Sequence, residues 1–160
     1  MVEKLEQVVF DRLIKERMTF ASAESCTGGN IAHQITLIPG SSEVFRGAAV
    51  TYATSTKTKV IGVPAALIES CGVVSCEVAE SMAQGVRQLM EADFGVATTG
   101  VAGPGGGSEA TPVGTVCIAL ATPKGVSSQC CHFEGDRLSV INQATREAYE
   151  MLYVWMNENL

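Results

Sequence analysis

Apolar side chains recur along this chain with the spacing of amphipathic helices and of short buried strands. Residues 3–18 place Leu5, Val8, Val9 and Leu13 on one face and charged side chains elsewhere, which predicts a helix. The same reasoning predicts strands at 19–22, 47–53, 94–99, 114–122 and 126–134, and further helices at 28–37, 76–92 and 137–157. Two short helices are expected in between, one in the polar run 54–59 and one from Pro64 to about Ser70.

The order of these elements indicates the fold class. Helices alternate with strands in the first two thirds, and a turn at 123–125 joins two strands into a hairpin near the end. We therefore predict an α/β fold, a three-layer α/β/α domain with a mixed sheet. Residues 1–160 show no linker composition, so a single domain is expected.

Composition narrows the function classes. The net charge of −6 argues against nucleic acid as a partner, because proteins that bind nucleic acid usually present a basic face. A small phosphorylated substrate stays compatible, since it needs only one or two local cations. The N-terminal residues are charged and no run of about 18 apolar residues occurs, so we expect a cytoplasmic protein with no membrane partner.

Six cysteines are present, at positions 26, 71, 76, 117, 130 and 131. They form no C-x-x-C pair and no Cys/His cluster with zinc-finger spacing. Reduced thiols are the expected state, and neither a metal nor another cofactor is predicted.

The stretch AESCTGG, residues 23–29, joins a strand to a helix and contains Ser25, Thr27 and Gly28. Free backbone N–H groups and the positive end of a helix dipole at this point favour an anion or a developing negative charge. A plain helix-capping turn explains the same residues equally well.

Lys57 is the candidate general base. A serine–lysine pair can hydrolyse an amide without histidine if desolvation keeps the lysine neutral. Ser41 and Ser42 lie at a turn that enters the preceding strand, and Tyr52 could link serine and lysine. The alternative is that Lys57 is a solvated helix lysine.

Three further features have both a functional and a structural interpretation. Cys26 is a rival nucleophile at a helix start, or a small buried side chain. The glycine-rich loop 102–108, which includes Gly103, can wrap a phosphate or a ribose with its N–H groups, although it is not a Walker A loop. Arg137 can hold a phosphate with two hydrogen bonds, or lie on the surface at a helix start. Histidine chemistry is not favoured, because neither His33 nor His132 has a glycine-rich or turn context.

Six motifs occurring in order resemble the C-terminal domain of the CinA family of competence-damage-inducible proteins. They are AESCTGG (23–29), PGSS (39–42), VTYA followed by Lys57, IGV (61–63), GVAGPGGGSEATPVGTV (100–116) and GDR (135–137). The resemblance covers about residues 5–157 and implies a three-layer α/β/α fold with no metal. It also implies an amidohydrolase that converts nicotinamide mononucleotide (NMN) to nicotinate mononucleotide and ammonia.

The resemblance also implies roles for individual residues. Ser42 would be the nucleophile, Lys57 its base and Tyr52 their support, while Ser25 and Thr99 match further polar positions of the active site. Arg137 matches an arginine that helps to hold the substrate. Physical reasoning adds N–H or hydroxyl donors near Ser25 to Thr27, or near Ser41, for the oxyanion, with Gly28 and Gly103 close to the substrate.

One departure from the family pattern supports an alternative. Where the family usually has a Ser-Asn-Glu-Ala-like run, this chain has Ala53-Thr54-Ser55-Thr56. The second hypothesis is therefore a non-catalytic module that binds a pyridine nucleotide, and the third, ranked last, is a cysteine amidase using Cys26. The sequence does not fix the number of subunits; we expect a homo-oligomer such as a dimer.

Overall fold

The computed structural model describes residues 4–160, so residue 3, with which the first predicted helix starts, lies outside the described part. The predicted helices and strands are all present, with their ends shifted by a few residues. Strand β2 differs most, because it ends before Tyr52 and begins at Phe45, which pairs with Phe20 and packs against its ring at 5.0 Å. The elements are α1 (Leu5–Glu16), β1 (Phe20–Glu24), α2 (Asn30–Thr36), a one-turn 3-10 helix (Ser41–Glu43), β2 (Phe45–Val50), α3 (Thr54–Ile61), α4 (Ala65–Cys71), α5 (Cys76–Leu89), β3 (Phe94–Gly100), β4 (Thr115–Thr122), β5 (Gly125–His132) and α6 (Arg137–Asn159).

The strands form one five-stranded mixed sheet in the order β2-β1-β3-β4-β5. Strands β2, β1 and β3 are parallel to one another, whereas β4 and β5 run antiparallel as a hairpin. The predicted mixed sheet with helices on both sides is thus confirmed.

Alternate residues of each central strand enter different cores. Phe20, Phe94 and Ile118 face a core that α1, α2 and α6 cover, whereas Ala97 and Ala119 face a second core under α5. The second face carries small side chains, which allows α5 to lie close to the sheet. The inner strands are therefore buried on both sides, as expected for a sheet between two helical layers.

Strand β1 lies at the point where the chain changes direction across the sheet. The connection through α2 leads to β2 on one side of β1, and the connection through α3, α4 and α5 leads to β3 on the other side. In open α/β sheets such a switch point leaves a crevice at the carboxyl ends of the strands, where ligands bind. The residues after β1, β2 and β3 are therefore the first place to look for a site.

A substitution at Gly95 tests how closely α5 packs on β3. A Cβ atom built at Gly95 would overlap the backbone carbonyl of Ala83 and lie 2.8 Å from the Cβ of Arg87. We expect Gly95→Ala to lower the free energy of unfolding by roughly 2 kcal/mol, because the helix must move away from the sheet. Urea unfolding measures this change. The control is Gly105→Ala, whose Cβ would meet no atom within 4 Å and should leave stability nearly unchanged; equal losses in the two variants would contradict the packing argument.

Candidate functional site

A serine and a lysine meet at the carboxyl ends of β1 and β2. Ser25 directly follows β1, and its backbone N–H donates to the carbonyl of Thr98 on the neighbouring strand β3. Lys57 lies in the first turns of α3 and its side chain returns toward the sheet, where it is only 1% exposed. The amino nitrogen Nζ is 2.9 Å from Ser25 Oγ and 2.5 Å from the carbonyl oxygen of Thr51. A buried amine is thus in direct hydrogen-bond contact with a hydroxyl.

Burial lowers the pKa of Lys57 below its ordinary value of 10.5, and the nearby Cys26 opposes this effect only in part. A neutral amine has two protons and one lone pair. It can donate to the Thr51 carbonyl and accept the Ser25 hydroxyl proton at the same time. This arrangement is what a serine needs to become a nucleophile without a histidine.

Glu24 fixes the turn that carries Ser25. Its side chain is fully buried at the last position of β1. One carboxylate oxygen accepts from Thr27 Oγ1 at 2.7 Å and from the Ile31 N–H at 2.9 Å, and the other accepts from Ser22 Oγ and the Ala32 N–H, both at 3.1 Å. Two first-turn amides of α2 are thereby satisfied by a side chain of the preceding strand. Ser25 thus lies between two anchored residues, Glu24 and Thr27.

Ser25 and Lys57 open onto a cavity of about 310 Å³. The cavity has a polar floor, an apolar wall from the segment between α4 and α5, and a glycine-rich roof from the loop after β3. The lining residues are Ser25, Cys26, Tyr52, Thr54, Lys57, Val73, Val74, Thr99, Gly100, Val101, Ala102, Gly103, Gly105, Gly106 and Arg137. Apolar walls with a few converging polar groups are typical of small-molecule sites.

Arg137 and Tyr52 form the rim of the cavity. Arg137, the first residue of α6, donates from Nη1 to the Gly103 carbonyl at 2.7 Å and from Nη2 to the Tyr52 hydroxyl at 2.9 Å. Tyr52 is 59% exposed and its hydroxyl contacts Arg137, whereas the partners of Lys57 are Ser25 and Thr51. The guanidinium thus links the glycine-rich loop to the rim beside Tyr52.

The structure does not bring Ser42 and Lys57 together. Ser42 is exposed in the 3-10 helix before β2, whereas Lys57 follows the other end of that strand. Because β2 has six residues, about 20 Å of extended chain separates its two ends. Ser41 lies in the same short helix, so it is equally far from the lysine as an oxyanion donor. The hydroxyl that Lys57 contacts belongs to Ser25.

The remaining predicted positions divide into two groups. Thr99 and Gly103 line the cavity, and Thr99 also donates to the Val73 carbonyl at 2.8 Å. Thr27 and Gly28 are not among the lining residues, and the Thr27 hydroxyl is buried against Glu24 and Thr98. The structure therefore gives Thr27 a part in holding the turn rather than a place at the cavity.

Cys26 lines the cavity next to Ser25, but its thiol is buried. Burial raises the pKa of Cys26 to about 11, which keeps it protonated near neutral pH. Both histidines, His33 and His132, are exposed and lie outside the cavity lining. The serine–lysine pair is therefore the better nucleophilic arrangement at this site.

Glu24 is the functional position that the sequence reasoning missed. An acidic residue at the end of a buried strand, followed by a serine and two glycines, was the available signal. Within residues 4–160 no cluster of three or more His, Cys, Asp or Glu side chains could hold a metal ion. In the same part of the chain, no helix has the length and hydropathy that a membrane crossing requires.

Comparison with known proteins places the fold and the motifs in one family. The family model of the CinA C-terminal domain matches residues 2–156. CinA-like proteins of Fervidobacterium nodosum and Geobacter metallireducens are 43% and 55% identical over 94% and 79% of this chain, which corresponds to only 37% and 31% of their own lengths. The crystal structure of competence damage-inducible protein A from Klebsiella pneumoniae is 30% identical, with a TM-score of 0.94, and the match covers 98% of this chain and 97% of that one.

The lowered pKa of Lys57 predicts a pH dependence of stability. Between the folded-state pKa and 10.5, the unfolded chain binds a proton at Lys57 that the folded chain does not, so unfolding is increasingly disfavoured as the pH rises through this window. Lys57→Met removes that contribution. We expect the stability advantage of Lys57→Met over the parent to be largest at low pH and to shrink as the pH approaches 10.5. Urea unfolding of both proteins from pH 6 upward measures the difference in their free energies of unfolding, and the contributions of the other titrating groups cancel in that difference. If the difference were constant with pH, burial would not destabilise the charged form of Lys57.

Proposed function

The chain belongs to the CinA C-terminal domain family, and from this premise and its cavity we propose that it hydrolyses the carboxamide of NMN, with Ser25 as nucleophile and Lys57 as base. The products are nicotinate mononucleotide and ammonia. The proposal assigns to Ser25 the role that the sequence motifs suggested for Ser42. Because the chain spans about a third of the curated relatives it matches, it is made for this domain alone.

One observation carries the proposal, the 2.9 Å contact between the buried Lys57 amine and Ser25 Oγ in a small-molecule cavity. An exposed lysine would be protonated at neutral pH and unable to accept a proton. Burial of Lys57 lowers its pKa and so favours the neutral amine, and the Thr51 carbonyl holds the amine in place by accepting a hydrogen bond from one of its N–H groups. Nucleophile and base are thus assembled before the substrate enters.

The chemistry follows from this arrangement. Ser25 Oγ attacks the carboxamide carbon while Lys57 takes the hydroxyl proton. The backbone N–H of Cys26, the residue after Ser25 that also lines the cavity, stabilises the oxyanion. Lys57 then returns the proton to the departing ammonia, which leaves an ester on Ser25. Water deprotonated by Lys57 attacks this ester, releases the acid and restores Ser25.

The two ends of the cavity suit the two ends of a nucleotide. The carboxamide must reach Ser25 at the floor, with the pyridine ring against the apolar wall of Val73 and Val74. The phosphate then lies at the rim, where the Arg137 guanidinium supplies a positive charge. The glycine-rich loop allows close approach of the backbone to a phosphate or ribose. This orientation places the reacting group beside the serine–lysine pair and the anionic group beside the arginine.

The first test is release of ammonia and nicotinate mononucleotide from NMN. We expect the parent to turn over, and Ser25→Ala to lose roughly a thousand-fold or more of kcat, since the nucleophile is absent. Lys57→Met should lose about a hundred-fold or more, since no base remains. Both products are measured by chromatography and an ammonia assay, with urea unfolding as the check on folding.

Two variants serve as controls. Ser42→Ala changes an exposed serine beyond the other end of β2 and should keep the parent activity. Cys26→Ala should keep most of it, because the thiol is protonated. An active Ser25→Ala beside an inactive Cys26→Ala or Ser42→Ala would overturn the assigned nucleophile. Binding of NMN by the parent without ammonia release would favour the non-catalytic nucleotide-binding function instead.

The second test concerns the phosphate end. Arg137→Met should raise KM for NMN about 10- to 100-fold, the cost of a lost charge-assisted hydrogen bond to an anion, with a smaller change in kcat. Nicotinamide riboside has the same carboxamide but no phosphate, so its kcat/KM should change little in the variant. Steady-state kinetics with both substrates separate the two effects. An equal loss for both substrates would show that Arg137 acts by shaping the rim rather than by binding phosphate.

A further inference from the structure

Three thiols converge on the sheet face that α5 covers, outside the cavity lining. Cys117 lies on β4 in the core beneath α5, Cys76 is the first residue of α5 and packs against that core, and Cys130 lies on the edge strand β5. Ser128, two residues before Cys130 and on the same face of β5, donates to Glu80 of α5 at 2.6 Å. The Cys130 side chain therefore points toward the same helix as Cys117.

The register places Cys117 and Cys130 directly opposite each other. The Phe133 N–H donates to the Gly114 carbonyl, which marks the pair 114–133 as hydrogen-bonded. Hydrogen-bonded and non-hydrogen-bonded pairs alternate along an antiparallel ladder, so the pair 117–130, three steps away, is non-hydrogen-bonded. At such a pair the Cα atoms are about 4.5 Å apart and the side chains are closest, within the Cα separation that a disulfide spans.

The two thiols differ in access. Cys130 is exposed and Cys117 is buried, so an oxidant in solution meets Cys130 first. Burial, followed by the neighbouring thiols of Cys130 and Cys76, raises the pKa of Cys117. Cys117 is therefore the weaker nucleophile toward the oxidant. It lies beside the Cys130 sulfur, which Cys117 can attack once Cys130 has formed a mixed disulfide.

We propose that Cys117 and Cys130 form a reversible cross-strand disulfide when the protein meets a low-molecular-weight disulfide such as oxidised glutathione. The Cys130 thiolate attacks one sulfur of the oxidant, which forms a mixed disulfide and releases one small thiol. The Cys117 thiolate then attacks the Cys130 sulfur, which forms the internal bond and releases the second small thiol. The protein loses two protons and two electrons, which is two hydrogen atoms, and the oxidant gains them.

The Cys117–Cys130 pair lies one strand away from the wall of the cavity. Cys117 pairs with Thr99 on its other side, and Thr99 lines the cavity. The disulfide would join the edge strand β5 to the strand adjoining the cavity wall. It uses none of the groups assigned to catalysis, so this inference is independent of the proposed function.

The experiment is peptide mapping of the native protein after incubation with oxidised glutathione. Trypsin cleavage at Arg87, Lys124 and Arg137 puts Cys117 in the fragment 88–124 and Cys130 in the fragment 125–137, while Cys71 and Cys76 share the fragment 60–87. We expect a reducible link between 88–124 and 125–137, together with an intact mass lower by two hydrogens. Reduction with excess thiol should separate the fragments.

Matched variants identify the sulfurs. Cys130→Ser should abolish the link, whereas Cys131→Ser, on the adjacent residue of the same tryptic fragment, and Cys71→Ser, at an exposed cysteine elsewhere, should keep it. Cys117→Ser should stop the reaction at a glutathione adduct on Cys130, a readout that does not depend on a change in folding. A link from 60–87 to 125–137, a stable glutathione adduct on the parent, or no reaction under conditions that modify Cys71 would each overturn the proposal.

Discussion

The buried carboxylate of Glu24 is the constraint on which the site depends. A carboxylate removed from water is costly unless its oxygens are hydrogen-bonded. Glu24 meets this condition with two hydroxyls and two amides, and the two amides belong to the first turn of α2. The end of β1, the turn after it and the start of α2 therefore form one hydrogen-bonded unit. The position of Ser25 is a consequence of satisfying that carboxylate.

The sheet topology brings the base to the serine. Strand β2 runs parallel to β1 and pairs with it from Phe45 to Val50, so the chain leaves β2 at the same edge where Ser25 stands. The Thr51 N–H donates to the Glu24 carbonyl, which extends this pairing by one residue. Helix α3 then starts at Thr54 and directs Lys57 back toward Ser25. Two residues 32 positions apart in the chain meet because parallel strands end together.

The sequence predicted the helices and strands better than it predicted which residues of the site meet in space. Amphipathic spacing and glycine or proline breaks were sufficient to find the helices and strands, including the hairpin 115–132. The choice of Ser42 came from the resemblance of PGSS to a family motif, and a motif does not reveal that strand β2 separates Ser42 from Lys57. The role of Glu24 was missed because hydrogen bonds from a later helix to a strand residue leave no periodic pattern. The cavity lining includes Lys57, Tyr52, Thr99, Gly103 and Arg137. Thr99 lies near the end of β3, Tyr52 and Gly103 follow strand ends, and Lys57 and Arg137 belong to the first turns of helices that start there.

A buried lysine can act as a base only when few polar groups surround its amino nitrogen. Each additional acceptor or carboxylate would favour the ammonium form and raise the pKa of Lys57 again. The amine contacts one carbonyl and one hydroxyl, so the Thr51 carbonyl orients it beside Ser25, and in its neutral form its lone pair is available to that hydroxyl. An arginine at this position would stay protonated at any physiological pH and could not take the proton. The desolvation that destabilises the charged lysine is therefore the same property that makes it a base.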